Sequence, residues 1–381
     1  MGFNFKSTVQ RAYIFALALI FIPLVAGAQK KPAPTAKKPA SSADVGQKAA
    51  SPADMGQMLA VQVALDRAGF SPGEIDGRGG TKTRLALSTF QKASGLQPTG
   101  VPNEETLAAL RAPAEAVISY TITPQDVAGP FIDAMPADLM ESAKLPALAY
   151  TSALEALAEK FHASPALLRT LNPAATWTAG ESIKVPDVEP FEIPSKADKP
   201  AAAANSAAGS KTASEPTAAA EPKPTAEAKA ATGAKSAAGA KPAASAALEV
   251  VVSGATKSLI VRDADGKILM HAPVTVGSSK DPLPLGDWKV TGVSWNPTFN
   301  YNPDLFWDAD PSHAKAKIPA GPNNPVGVVW VDINKAHFGL HGTPEPSTIG
   351  RTESHGCIRL ANWDATRLGR LVSVGTKVTI Q

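Results

Sequence analysis

The sequence predicts a multidomain chain that ends in a mostly β domain, a sandwich or open barrel, preceded by small helical and α+β modules and joined by disordered linkers. Three observations predict it. Residues 29–52 and 196–247 are tracts of Ala, Pro, Lys, Thr and Ser with no apolar period, the composition of extended spacers. Residues 55–111 repeat apolar positions at helical spacing. Residues 248–381 alternate strand-like runs with turns at Ser253-Gly254 and Asp265-Gly266.

The first 28 residues read as a secretory signal. Lys6 and Arg11 precede an apolar stretch from Tyr13 to Val25, and Ala26-Gly27-Ala28 offers the small residues of a cleavage site. The competing reading is an uncleaved membrane anchor. The apolar stretch is short for a span of about 20 residues, and Pro23 interrupts it. No later segment is apolar for long enough to cross a bilayer.

The net charge of +3 sits outside the expected folded parts. Segment 1–28 carries +2, 29–50 carries +4 and 196–247 carries +3, which leaves −6 for the rest. No basic folded face argues for nucleic acid. The single cysteine, Cys357, excludes an internal disulfide and marks a reactive thiol, an intermolecular bridge or a small buried apolar group.

In the helical region, Met58, Val61, Leu65 and Ala68 line a first helix. A turn at Asp76-Gly77 leads to a second, with Thr81 as its cap, Thr83, Leu87 and Phe90 along one side, and Gly95 at its end. Asn103 caps a third. The run VQVALDRAGFSPGEIDGRGGTKTRLALSTFQKASGLQPTG resembles the peptidoglycan-binding domain 1 family, a three-helix wall-binding module, assigned to residues 53–112. After a connecting segment at 113–147, residues 148–190 pair a helix carrying Leu154, Leu157 and Phe161 with a second started by Ser164-Pro165. Asn172-Pro173 ends that helix, and the following AGESIKVP ends on a short strand. This arrangement is similar to LysM modules, which bind amino-sugar glycans, although the usual Gly-Asp turn at the start is missing.

The C-terminal segment concentrates the chemistry. Three of the six histidines, His337, His341 and His355, fall in one stretch, and Cys357 lies two residues after the last. A thiol with a pKa near 8.5 is mostly protonated at neutral pH, and an imidazole can take its proton and stabilise an ion pair. His341 precedes Cys357 by sixteen residues, with Pro344 and Pro346 favouring a loop that returns the ring to the sulfur. Gly356 allows close backbone approach, so neighbouring N–H groups can meet an oxyanion. A zinc site built from His337, His341, His355 and Cys357 is the rival. It requires His337 and His341 to be bridged by one ion, yet four strand residues separate them by about 13 Å.

The segment HGTPEPSTIGRTESHGCIRL resembles the L,D-transpeptidase (YkuD) family, over about residues 248–381. The resemblance implies a cysteine acyltransferase acting on peptidoglycan stem peptides, with no metal or organic cofactor. Cys357 matches the nucleophile and His341 the proton acceptor and donor. The Gly342 carbonyl matches the group that orients the imidazole. Ser354, His355 and Gly356 match the remaining signature positions, and Arg359 a position assigned to substrate binding. Each has a plainer reading: loop bonding for Ser354, a structural donor for His355, pairing with Asp364 for Arg359. Trp295, Tyr301, Trp307 and Trp330 are candidates to line a cleft, with core packing the favoured expectation, and His337 falls outside the chemistry.

The implied partners are peptidoglycan stems and glycan strands, with an amine on another stem or on an outer-membrane protein as acyl acceptor. The implied location is the periplasm, at the wall. Hydrolysis of the acyl enzyme as an L,D-carboxypeptidase, and a non-catalytic wall-binding protein, are the alternatives.

Overall fold

The computed structural model describes residues 52–195 and 248–381. The expected signal segment 1–28, residues 29–51 and the tract 196–247 lie outside the described residues.

The helical module contains α1 (Pro52–Arg67), α2 (Thr81–Ala93) and α3 (Glu104–Leu110). Two buried glutamines explain its sequence pattern. The Gln62 side chain donates to Asp76 Oδ1 at 2.9 Å and accepts from Gly77 N at 2.8 Å, fixing the Asp-Gly turn. Gln91 donates to Val101 O and Thr106 Oγ1, each at 2.9 Å, and accepts from Gly100 N at 2.8 Å. Gly100 has φ 69°, and a side chain there would meet the Arg84 carbonyl. Asn103 caps α3 as expected, its side chain accepting from Thr106 N. Thr81 does not cap α2. Gly80 occupies the cap without a side-chain bond, and Thr81 is the first helical residue.

The next unit contains β1 (Val117–Thr121), α4 (Leu139–Ser142), α5 (Ala153–Lys160), α6 (Pro165–Leu171) and β2 (Ser182–Pro186). Ser152 and Ser164 cap α5 and α6. β1 lies in the segment expected to be only a connector, and it pairs antiparallel with β2. The unit therefore draws one of its two strands from outside residues 148–190.

The C-terminal part contains β3 (Glu249–Ser253), β4 (Ser258–Arg262), β5 (Ile268–Pro273), β6 (Gly286–Trp295), β7 (Phe299–Tyr301), β8 (Ala316–Ile318), β9 (Val329–Ile333), β10 (Gly339–His341), β11 (Ile358–Arg359), α7 (Asn362–Leu371) and β12 (Lys377–Ile380). Eight strands form one sheet in the order β11-β10-β9-β6-β12-β3-β4-β5. The sheet curls. Chain leaving β5 reaches the opposite edge, where Thr275 and Arg359 exchange two backbone bonds of 3.0 Å. α7 packs on the sheet at Gly369, where a side chain would strike Trp295.

Although 52 residues separate the two described parts in sequence, the parts are not independent. The Ser71 amide bonds to His271 O, and the His271 amide to Gly69 O, both at 2.9 Å, so the helical module covers the edge of β5. The Ser71 hydroxyl donates to Asp364 at 2.8 Å. His162 stacks on Trp363 with 5.0 Å between centroids, and its Nδ1 lies 3.1 Å from buried Asp66. Burial acts to raise the Asp66 pKa, but His162 and Arg367 together hold it down at about 2. A carboxylate with a depressed pKa contributes stability above its unfolded pKa, near 4, and loses it as pH falls toward 2.

Asp66→Ala leaves Arg367 and His162 facing each other without their acid. The expected cost is about 3 kcal/mol. Hydrogen exchange of the Ser71 and His271 amides should accelerate together. Unchanged protection of both amides would show that Asp66 does not hold the interface.

Candidate active site

β10 lies between β9 and β11. It runs parallel to β11 with Leu340 opposite Ile358 and His341 opposite Arg359. Leu340 and Ile358 are buried in the core. Strand alternation then turns His341 and Arg359 to the other face, and Cys357, two residues before Arg359, with them. All three line one cleft of about 880 Å³.

The turn carrying the cysteine is tied down on both sides. Ser354 N donates to Val276 O at 3.0 Å, and Ser354 Oγ donates to Cys357 O at 2.6 Å. The Ser354 hydroxyl therefore bonds within its own loop. Gly356 has φ 95°, and a methyl there would overlap the Phe338 ring, so only glycine fits.

His341 is buried, and its Nδ1 donates to Gly342 O at 2.7 Å. A carbonyl only accepts, so Nδ1 carries the proton and the Nε2 lone pair is left as the acceptor. Trp330, directly across the β9–β10 ladder, stacks on the ring at 5.2 Å and 16°. Burial first, and then the Arg359 charge, push the His341 pKa down to about 3, against the pull of the Gly342 bond. Cys357 is half-buried, with Sγ 3.7 Å from His337 O. Burial pushes its thiol pKa up, opposed by the Gly339 amide and by Arg359. Both shifts favour a neutral thiol and a neutral imidazole in the one cleft, not the ion pair considered from the sequence.

The other anticipated residues divide. His355 is directed to the rim, with Nε2 2.8 Å from Asp308 Oδ1 and its ring edge-on to Phe306 at 4.9 Å. The suggested Arg359–Asp364 pair does not form, because Asp364 is buried against Ser71 and Arg367. His337 faces the cleft wall and gives Cys357 its carbonyl. Trp295 packs in the core as expected, whereas Trp307 is 56% exposed with Lys280 Nζ 3.4 Å over its ring. Tyr301 is buried and also lines the cleft. Among the described residues, no group of three or more His, Cys, Asp or Glu could hold a metal ion.

Sequence reasoning missed Asn362, and it favoured core packing for Trp330, which lines the cleft. The Trp330 stack was readable in principle, since the hairpin of β9 and β10 puts Trp330 opposite His341. The Asn362 amide oxygen accepts from Val328 N at 3.1 Å and is wedged against both Gly327 and Gly342. A lone Asn at a helix start carries no such signal.

Two family models match the chain: "L,D-transpeptidase catalytic domain" over residues 248–380 and "Putative peptidoglycan binding domain" over 55–110. The "Putative L,D-transpeptidase YkuD" of Bacillus licheniformis is 29% identical over 133 residues, 35% of this chain and 64% of that protein. The "Putative L,D-transpeptidase YqjB" of Bacillus subtilis is 30% identical over 137 residues, 34% of this chain and 69% of the relative. A solved L,D-transpeptidase from Mycobacterium smegmatis aligns with TM-score 0.30 at 23% identity, over 36% of this chain and 59% of that one. The chain thus spans just under two thirds of the YkuD relative and a little over two thirds of YqjB. With the β domain, the SHGC turn and this match together, the chain belongs to the YkuD family of L,D-transpeptidases.

Proposed function

We propose that this protein is a cysteine-dependent L,D-transpeptidase acting on peptidoglycan stem peptides at the wall, outside the cytoplasm. The observation that carries this reading is the placement of Cys357 and His341 on one face of the β10–β11 pair, with Nδ1 tied to Gly342 so that Nε2 is free to accept a proton.

The Cys357 sulfur attacks the carbonyl of the diamino acid in a tetrapeptide stem. As the S–C bond forms, the thiol proton passes to His341 Nε2, and the oxyanion is met by backbone N–H groups of the Gly356-Cys357 turn. The intermediate collapses, the C–N bond breaks, and the imidazolium gives its proton to the departing D-Ala nitrogen. A thioester remains. An acceptor amine attacks it, loses a proton to His341, and leaves as the amide. The released sulfur recovers that proton. Arg359, which shares the cleft face, supplies a fixed positive charge for a carboxylate of the stem. His355, bonded to Asp308, shapes the rim. Residues 55–110 hold the enzyme on the polymer it modifies. Among the described residues, no helix is long and apolar enough to cross a membrane.

With tetrapeptide muropeptides, the protein should release D-Ala and form dimers by mass spectrometry, and Cys357→Ala should do neither. Equal products from both would sink the catalytic reading, and tripeptide without dimers would make the enzyme a hydrolase.

The neutral resting pair has its own signature. A thiol pKa raised above its usual value leaves little thiolate at pH 7. Iodoacetamide labelling of Cys357, followed by mass spectrometry, should climb steadily with pH to beyond 9. A labelling rate that is flat from about pH 5 upward would reveal an ion pair instead.

A further inference from the structure

The support behind His341 is not built by residues 248–381 alone. Helix α5 belongs to the unit that precedes them, and its Glu159 is 8% exposed. One carboxylate oxygen accepts from Tyr150 OH at 2.5 Å. The other accepts from Asn362 Nδ2 at 2.8 Å. Pro322 O is a second acceptor for that amide at 3.2 Å. The Asn362 side chain is therefore fully bonded: two acceptors for its NH2 group, and the Val328 amide for its oxygen. Its oxygen sits where a methyl on Gly327 or on Gly342 would have to be. Gly342 is the residue whose carbonyl holds His341 Nδ1. A continuous set of contacts thus runs from α5 to the imidazole: Glu159, Asn362, Gly342, His341.

We propose that Glu159 is a positioning residue for the reaction, acting through Asn362 on the Gly342 carbonyl that orients His341. The proposal rests on the transpeptidase reading for its kinetic consequence. Without Glu159, Asn362 Nδ2 keeps only its longer bond to Pro322. The amide is then free to rotate in its slot, and Gly342 loses the wall that fixes its peptide plane. A misplacement of about 1 Å in such a support can cost about a hundredfold in rate. The loss falls on turnover and not on substrate binding, because neither Glu159 nor Asn362 lines the cleft.

Docking of α5 and the positioning of His341 can be separated. Asn323 anchors the same docking face, donating to Ala149 O and to Glu155 Oε1, each at 2.9 Å, and neither bond leads to Gly342. Glu159→Gln keeps an oxygen acceptor for Asn362. Glu159→Met keeps the length and removes the acceptor, with Glu159→Ala as a second variant should Met not fold.

In the full chain, Glu159→Met should lower kcat for D-Ala release ten- to a hundredfold with KM within about twofold. Glu159→Gln and Asn323→Ala should stay within about twofold of the parent. The His341 imidazole 15N resonances should show Nδ1–H in the parent and a mixture of tautomers in Glu159→Met. Equal losses in Glu159→Met and Asn323→Ala would reduce the effect to docking and overturn the proposal. So would an unchanged tautomer in Glu159→Met. A parent protein that releases no D-Ala overturns the transpeptidase reading instead, and the tautomer measurement still decides the role of Glu159.

Discussion

The register of the two-residue parallel pairing between β10 and β11 is the constraint on which the cleft depends. Strand side chains alternate, so a slip of one residue would carry Cys357 and Arg359 into the core and bring Ile358 out. Two residues of ladder cannot hold a register by themselves. Here Thr275 holds Arg359 by two backbone bonds, Ser354 is fixed to Val276, and Leu360 N reaches His341 O at 2.8 Å. The curl of the sheet supplies the first two of these, because Thr275 and Val276 belong to chain leaving the far edge strand. Closure of the fold and placement of the thiol are therefore one event.

The same closure sets the electrostatics. His341 is enclosed by Trp330 on one ring face and anchored at Gly342, with the Arg359 charge nearby. Each of burial and like charge disfavours imidazolium. The ring is left in one tautomer with one open nitrogen, which suits a group that must accept a proton only while a bond to sulfur is forming. Arg359 pulls the two partners in opposite senses: it holds imidazolium off His341 and favours thiolate on Cys357.

What the sequence disclosed follows the range of the interactions involved. Helix caps at Asn103, Ser152 and Ser164 act within three residues, and two of them, Asn103 and Ser164, were read from their immediate neighbours. The SHGC turn was legible because Gly356 sits where only glycine fits and position 354 needs a hydroxyl donor. The pairing of β1 with β2 was not legible: about sixty residues and the helices α4, α5 and α6 intervene, and no local signal links Val117 to Pro186. The interface was hidden for a different reason. Asp66 and Glu159 lie on helices whose charged residues read as solvated faces, and only the fold brings His162, Arg367 and Asn362 to meet them. Buried charge is rare enough that pattern reasoning assigns it to the surface.

That buried interface changes how the wall-binding part and the catalytic part relate. A tether alone raises local concentration and leaves orientation free. Contacts at Ser71, His162, Asn323 and Asn362 instead fix the two parts as one body over the described residues. In the proposed reaction this matters most for the thiol. A half-buried, protonated Cys357 has no second cysteine in the sequence to pair with and little thiolate to offer an oxidant. In the proposed mechanism it becomes nucleophilic only when a carbonyl occupies the cleft and His341 takes the proton. Holding His341 ready for that moment is work shared between the catalytic sheet and the unit docked against it.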